Sequence, residues 1–455
     1  MRDVAVPRLR SSLSHRTVQA GQEALAGRRR GVRGFLPFAG PAVIASVAYV
    51  DPGNFATNIQ GGAQFGYMLL WVVLAANVVA MLFQSLSARL GIVTGRSLAT
   101  LCRERFPRPV VYLMWGASEL AAMTTDLSET LGAAIGLSLL FGWPLMASLV
   151  VTFVITYALL MLQRGGFRPL EIVIGGFVTL IGLCYVIELL IAPPDWGAVA
   201  FHSLVPQLAG PESVTMAVGV IGATVMPHAI YLHSNLTQGR MPAADDAERR
   251  RILRYSNREV LIALGVAGLI NMAMMTMAAV MFHATGRSDV ASIETAYHTL
   301  FPLMGYAAAA VFLIALLASG LSSSVVGTMA GQWIMQDFVS VRIPLWLRRA
   351  VTLVPSMAVV AAGVAPTDAL VLSQVVLSLL LPVPMVALLR LCSAPDLMGS
   401  FVISRRLRWS AVAAATLVLG LNVVLLAQIA GVVVPCLDAP CALLPHSGTP
   451  HFGTN

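Results

Sequence analysis

The chain has 455 residues, 57% of them hydrophobic and 11% charged, with a formal net charge of +8 and a mean hydropathy of +0.80. A soluble domain carries about 25% charged residues, so the composition excludes an ordinary soluble protein and places the chain in a bilayer.

Residues 1–34 are rich in arginine and lack an apolar run, which excludes a cleaved secretory signal. A transit peptide is conceivable because acids are few; a disordered, basic cytosolic tail is the preferred reading. Eleven apolar stretches follow, at 41–66, 68–91, 109–140, 145–162, 170–191, 213–238, 259–283, 303–337, 346–363, 368–391 and 410–434. Each has roughly 18 or more residues and reads as a spanning helix.

The first span is interrupted by Asp51-Pro52-Gly53-Asn54. Proline removes a backbone donor and breaks a helix, which frees carbonyls at membrane depth. Such breaks persist only where they are buried in protein or line a polar cavity. An ionised Asp at a helix centre costs about 2.5–3.5 kcal/mol, so Asp51 marks a functional site. The same four residues also suit a plain cap on the second half-helix.

The third span carries Glu119, Asp126 and Glu129. Spacings of seven and three place them on a shared face, in a stripe about 15 Å long. Acid chains of this kind relay protons through membranes. Pairing of one or two of them with arginine for packing is the competing reading.

The sixth span breaks at Met226-Pro227-His228, about 175 residues after Asp51. Two broken spans at corresponding places in two halves are the sequence pointer to a transporter site at the bilayer midplane. A lone Met is ordinarily core, but Met226 directly precedes the break, where carbonyls near Ala223 lose their helical partners. A carboxylate, an amide oxygen, a carbonyl and a thioether could converge there. Hard oxygens alone would suit Mg²⁺ or Ca²⁺; a sulfur donor favours first-row transition ions such as Mn²⁺ or Fe²⁺. His228 and His233 follow on the second half of this span, suited to proton transfer, gating or polar packing.

The stretch 300–338 is long for one helix, but dividing it near Ser319-Gly320 would reverse every later loop. Its small residues, Ser319, Gly320, Ser322, Ser323, Ser324 and Gly327, are expected to permit close helix packing. Cys102, Cys184 and Cys392 are scattered without metal-ligand spacing. Cys436 and Cys441 follow the last span, where an oxidising compartment would allow a disulfide.

The charges orient the chain. All 29 basic residues are Arg, and with the N-terminus inside, 28 of them fall in the tail or in alternate connections; only Arg287 falls outside. The positive-inside rule therefore predicts an N-in, C-out topology. It also assigns the basic charge to membrane orientation rather than to nucleic acid, because the arginines sit in short connections between spans.

The segments Gly-Pro-Ala-Val-Ile-Ala-Ser-Val-Ala-Tyr-Val-Asp-Pro-Gly-Asn-Phe-Ala-Thr-Asn from Gly40 and Gly-Ala-Thr-Val-Met-Pro-His-Ala-Ile-Tyr-Leu-His-Ser from Gly222 closely resemble the Nramp family of proton-coupled divalent metal transporters. The likeness runs from about residue 34 to 434. It implies an all-α, LeuT-like membrane fold of eleven helices, with helices 1–5 (35–192) and 6–10 (211–392) as inverted repeats. An eleventh helix (409–435) and a short extracytoplasmic tail (436–455) would follow. By this resemblance Asp51, Asn54 and Met226 are side-chain metal ligands, Ala223 is a carbonyl ligand, and Gln374 approaches the metal in occluded states. Asp126 matches the proton acceptor beyond Asp51. Glu129, His228 and Arg349 match its polar surroundings, with Arg348 and Glu119 further along the exit path. His233, Asn271 and Thr224 match conformationally sensitive positions. Family members that carry magnesium or aluminium lose the Met retained here as Met226, so the manganese and iron branch fits better.

The implied activity is import of Mn²⁺ or Fe²⁺ with protons by alternating access, by a monomer in a bacterial inner membrane, without cofactor or nucleic-acid partner. No Walker loop and no Lys are present. A sodium-coupled amino-acid transporter of the same fold is the alternative, although an Asp and a Met at the breaks suit a substrate carboxylate poorly. An intramembrane metalloprotease is disfavoured because His228 and His233 are five apart and lack the Glu of H-E-x-x-H. Uphill accumulation driven by a pH gradient would separate a carrier from a passive channel.

Overall fold

The structure, a computed structural model, describes residues 13–162, 167–287, 292–341 and 343–430. Cys436, Cys441 and the tail from 431 onward lie outside the described residues, as do Arg164 and Arg342.

Every regular element among the described residues is helical. Two helices precede the first span, α1 (Leu13–Leu25) and α2 (Gly31–Phe35). The first broken span is α3 (Pro41–Val47), a 3₁₀ turn over Ala48–Val50, and α4 (Pro52–Phe65). Then come α5 (Leu70–Thr94), α6 (Leu98–Arg105), α7 (Arg108–Phe141), α8 (Leu145–Leu160), α9 (Phe167–Ile191) and α10 (Trp196–Leu204). The second broken span is α11 (Gly210–Thr224) with α12 (Pro227–Thr237). The chain continues with α13 (Asp246–Ala278, prolonged by a π turn to His283), α14 (Ile293–Val339), α15 (Leu345–Ala361), α16 (Pro366–Leu380), α17 (Pro382–Cys392), α18 (Pro395–Met398) and α19 (Arg405–Ile429).

Local sequence sets these boundaries. Proline opens α3, α4, α12, α16 and α17 at the first turn, where its missing N–H costs nothing. Ser97, Asp245 and Ser404 cap the helices after them by accepting from backbone N–H groups. Gly95 and Gly142 close α5 and α7 in the left-handed conformation, at φ 66° and 68°. The long α14 is bent at Gly305, where φ is 83°, three residues after Pro302, so its spanning part is Gly305–Val339. This agrees with one span, rather than two, over 303–337.

Among the described residues seven spans are by themselves long and apolar enough to cross a membrane: Leu70–Thr94, Arg168–Ile191, Gly210–Thr237, Asp246–His283, Gly305–Val339, Pro366–Cys392 and Arg405–Gln428. The four others read from the sequence each have a reason for falling short. The α3–α4 span is cut in two. Glu119, Asp126 and Glu129 sit within α7, which turns by 115° into α8. α8 and α15 have only 16 and 17 residues. Large apolar side chains on the outer helix faces are exposed, among them Leu113 (73%), Leu190 (76%) and Leu269 (67%). An apolar exterior of this extent belongs against lipid.

The interior is built around α7 and α14, which are in contact along much of their length. Glycines bring the backbones together. A Cβ at Gly320 would meet the backbone of Ala133 at 2.7 Å, and one at Gly136 would meet Leu317 at 2.7 Å.

One expectation is corrected. The segment before residue 35 is not wholly disordered: Leu13–Leu25 forms α1. Its last residues, Ala24 and Leu25, are buried with Phe38 and Ile252 in a small apolar cluster separate from the main core. Arg251 donates to the Leu25 carbonyl at 2.7 Å, which fixes the end of α1 against α13. The arginine content suggested a solvated tail, but the apolar residues interleaved with it supply a face that packs.

Candidate functional site

Both breaks are buried and meet. Asp51 leaves the helical conformation (φ −83°, ψ 171°) and caps α4. Its Oδ1 accepts from the Asn54 backbone N–H at 2.9 Å and from Asn54 Nδ2 at 2.6 Å. Its Oδ2 is buried and unpartnered. The capping reading and the functional reading are therefore both accommodated, one by each oxygen. Asn54 Nδ2 also donates to the Ala223 carbonyl at 2.8 Å, across to the end of α11. The Thr224 hydroxyl lies 3.5 Å from Asn54 Oδ1. Beyond Thr224 the backbone is extended through Val225 and Met226, and Met226, fully buried, stands at the N-cap of α12.

The third wall is α16. Gln374 Nε2 donates to Ser128 Oγ at 3.0 Å and Ser373 Oγ at 2.8 Å, while its Oε1 is buried and unpartnered. Two glycines let it come this close. A Cβ on Gly53 would collide with the Gln374 side chain, and one on Gly222 would collide with the Gln374 carbonyl. Each broken span thus carries a glycine facing the same residue of α16.

The carbonyls freed at the first break are answered from distant helices. Asn271 Nδ2 donates to the Tyr49 carbonyl at 2.6 Å, and Asn58 Nδ2 donates to Asn271 Oδ1 at 3.2 Å. Ser319 Oγ donates to the Val50 carbonyl at 2.6 Å. Ser319 was expected only to permit packing; its hydroxyl also satisfies the break. His233 Nδ1 lies 2.8 Å from Gln84 Oε1, and Gln84 Nε2 donates to the Tyr49 hydroxyl at 2.5 Å. Gln84 and Tyr49 were not singled out from sequence. A glutamine in the otherwise apolar stretch 68–91 was the available signal for the first.

The acidic stripe of α7 is met by α15. Glu119 receives both terminal nitrogens of Arg348, at 2.5 and 2.9 Å. Asp126 Oδ1 lies 3.2 Å from Arg349 Nη1, and both side chains are about 1% exposed. The Thr328 hydroxyl donates to Asp126 at 3.4 Å, and Arg349 also donates to Ser324. Arginine pairing therefore accounts for two of the three acids. Glu129 is different: it is fully buried, and both its oxygens are unpartnered. Gly327 makes room for its carboxylate, and Gly331 does the same for Arg348. His228 Nδ1 is 3.1 Å from Thr125 Oγ1, and its Nε2 is unpartnered. Asp51 Oδ2, His228 Nε2 and both Glu129 oxygens are thus buried polar atoms without partners, each costly in a region of low dielectric.

The end of the first broken span nearer the arginines is tied down. Glu259 Oε1 accepts from the backbone N–H groups of Gly40 (2.6 Å) and Ala42 (2.8 Å), and Glu171 pairs with Arg168 and Arg240 beside them.

No group of three or more His, Cys, Asp or Glu stands together among the described residues. A cation at the breaks would therefore draw on amide, carbonyl and thioether donors besides Asp51. Comparison with known proteins bears on that donor set. The family profile described as Natural resistance-associated macrophage protein-like, Nramp, matches residues 42–428. The chain belongs to the Nramp family. Nramp relatives named Divalent metal cation transporter MntH include one from Granulibacter bethesdensis, 59% identical over 94% of this chain and 96% of its own, and one from Verminephrobacter eiseniae, 60% identical over 93% and 96%. Among solved structures, an Eremococcus coleocola manganese transporter in complex with an aromatic bis-isothiourea substituted compound is 32% identical, with a TM-score of 0.79, and covers 89% of each chain. The nucleobase-cation-symport-1 transporter Mhp1 in a closed conformation is 15% identical, with a TM-score of 0.58, over 87% of this chain and 90% of its own; that likeness concerns the fold alone. An Nramp chain of this fold is a multi-pass membrane protein.

Proposed function

We propose that the chain imports divalent transition-metal ions, Mn²⁺ and Fe²⁺ in particular, together with protons, by alternating access. The observation that carries this reading is the meeting of the two breaks. The Asp51 carboxylate, with one free oxygen, and the Asn54 amide of the first pair meet the freed Ala223 carbonyl of the second, and the buried Met226 stands three residues beyond that carbonyl. The relatives named for divalent metal cations, and the solved manganese transporter, support the same cargo.

In this reading Asp51, Asn54, Ala223 and Met226 replace most of the ion's water. The Asn54 amide now turns its NH₂ toward Asp51 and Ala223; rotating it about χ2 brings its oxygen to the cation instead. The divalent charge favours the Asp51 carboxylate, so binding releases a proton. Asp126, flanked by Glu129, His228 and Arg349, takes up that proton, and Glu119 with Arg348 leads it onward. Gln374 closes over the metal with its free Oε1. Asn271, Thr224 and His233, bonded at or beside the breaks, respond as the half-helices move. Opening the inner side requires release of the α3 terminus held by Glu259.

The reading keeps eleven spans, with α3–α4, α7, α8 and α15 added to the seven, and the two repeats over 35–192 and 211–392. It places the N-terminus in the cytoplasm and the C-terminus outside a bacterial inner membrane. It takes a monomer as the working unit and invokes no catalytic step or resident cofactor.

The test is uptake into proteoliposomes at two external pH values, with Mn²⁺, Fe²⁺ and neutral amino acids as alternative cargoes. Acid-stimulated accumulation of Mn²⁺ against its gradient is expected, and Asp51→Ala should abolish it. Amino-acid uptake without metal uptake would refute the reading, and purely downhill flow would mark a channel.

A further inference from the structure

A cavity of about 310 Å³ opens where the helices before the first span meet the start of α13. It is lined by Arg29, Arg30, Arg251, Arg254 and Arg258, with Tyr255 in its wall, and no acidic residue contributes to the lining. Arg251, Arg254 and Arg258 recur at intervals of three and four, which puts them on one face of α13. Tyr255 is held by stacking on Phe38, with ring centroids 4.4 Å apart.

Five like charges around one hollow repel one another unless an anion joins them. Arg29 is bonded to Glu23 at 2.6 Å, and Arg251 uses one donor on the Leu25 carbonyl. Arg30, Arg254 and Arg258 have no acidic partner among the described residues. Guanidinium groups present paired donors that match phosphate oxygens.

The surroundings decide which phosphate. Three residues beyond Arg258 the exposed face of α13 turns apolar, with Leu261 63% and Ile262 57% exposed. On the other side of the cavity Val32 is 73% and Leu36 49% exposed. The arginines therefore stand at the level where lipid-facing surface begins. Basic pockets between helices at that level take acidic lipid headgroups. We infer that this cavity binds the headgroup of an acidic phospholipid, with its phosphate among Arg30, Arg254 and Arg258 and its acyl chains along Leu261 and Val32. The lipid would then bridge the α1–α2 segment to α13. This inference does not depend on the metal reading.

The experiment uses the full-length protein, delipidated in detergent, with its melting followed as phosphatidylglycerol, phosphatidylcholine or sodium phosphate is added. Phosphatidylglycerol should raise the melting temperature and the other two should not. Each arginine near a membrane surface contributes about fivefold in affinity, so Arg30→Gln/Arg254→Gln/Arg258→Gln should weaken phosphatidylglycerol binding on the order of 100-fold. The charge-matched Arg405→Gln/Arg406→Gln/Arg408→Gln should retain it. Equal losses in both triple variants would mean diffuse charge attraction and overturn the site. An equal shift with sodium phosphate would overturn the lipid assignment in favour of a free anion. If the first triple variant does not yield folded protein, Arg254→Gln alone, on an exposed side chain, should give about the fivefold loss, and unchanged binding would sink the inference.

Discussion

Met226 and Ser319 show two ways in which a single buried side chain serves the breaks. Met226 stands at the N-cap of α12 and, in the proposed ligand set, adds a soft donor to oxygens. Removing it should leave Mn²⁺ uptake measurable while Ca²⁺ and Mg²⁺, which prefer hard oxygens, compete better. Competition uptake with Met226→Ala reads this directly, and unchanged discrimination would remove sulfur from the selectivity argument. Ser319 acts on the protein itself, because its hydroxyl answers the Val50 carbonyl. Ser319→Ala leaves that carbonyl buried and unpaired, a cost of about 1–3 kcal/mol. A lowered melting temperature without a change in metal preference is expected. The contrast explains what could be read from sequence. Asp51 and Met226 were legible because proline beside a polar or unusual residue in an apolar span is a local signal. Ser319 sits among other small residues, and its partner is 269 positions away. No local pattern separates a hydroxyl that bonds from one that merely packs. Tyr49 was missed for the same reason: its hydroxyl is bonded by Gln84 of α5, which in turn meets His233 of α12.

At the scale of elements, the site is three helical pieces held at close quarters by missing side chains. Gly53 on α4 and Gly222 on α11 both face Gln374 of α16. Gly222→Ala would drive a methyl group into the Gln374 carbonyl and push α11 from α16. Overpacking of this kind costs about 1–3 kcal/mol. The expected outcome is a folded but less stable protein with metal uptake reduced more than surface expression, measured by uptake normalised to the amount in the membrane. Wild-type uptake would mean that α16 can withdraw without consequence. The pairing of α7 with α15 was half legible. The acidic stripe was plain from spacing, but which arginine meets which acid depends on where α15 crosses α7. The structure gives Arg348 to Glu119 and Arg349 to Asp126, and leaves Glu129 without either.

Across the whole molecule, the arginine distribution makes a statement about sidedness that geometry does not. The proposed topology puts Arg287 outside and Arg408 inside. In a background carrying Cys436→Ser and Cys441→Ser, Arg287→Cys should react with a membrane-impermeant maleimide on intact cells, and Arg408→Cys only after permeabilisation. The opposite pattern would invert the topology. The three other cysteines, Cys102, Cys184 and Cys392, are buried and should stay silent. Fold class was readable from composition and hydropathy because lipid demands long apolar helices. The span count was harder, since α8 and α15 are short and the first span is divided. The helix at Leu13–Leu25 was misread because the arginines of residues 1–34, of which only Arg16 lies in the helix, drew the whole segment into a solvated reading and hid the apolar residues that dock it.

The double donation by the Asn54 amide has a consequence for the half of the cycle in which nothing is carried. One NH₂ group joins Asp51 of the first broken span to Ala223 of the second. In the proposed cycle the bound ion would join the two broken spans, and this amide is the bond that joins them otherwise. In the proposed cycle the empty carrier therefore resets as a fastened body, and the journey home does not expose a bare carboxylate to stray ions.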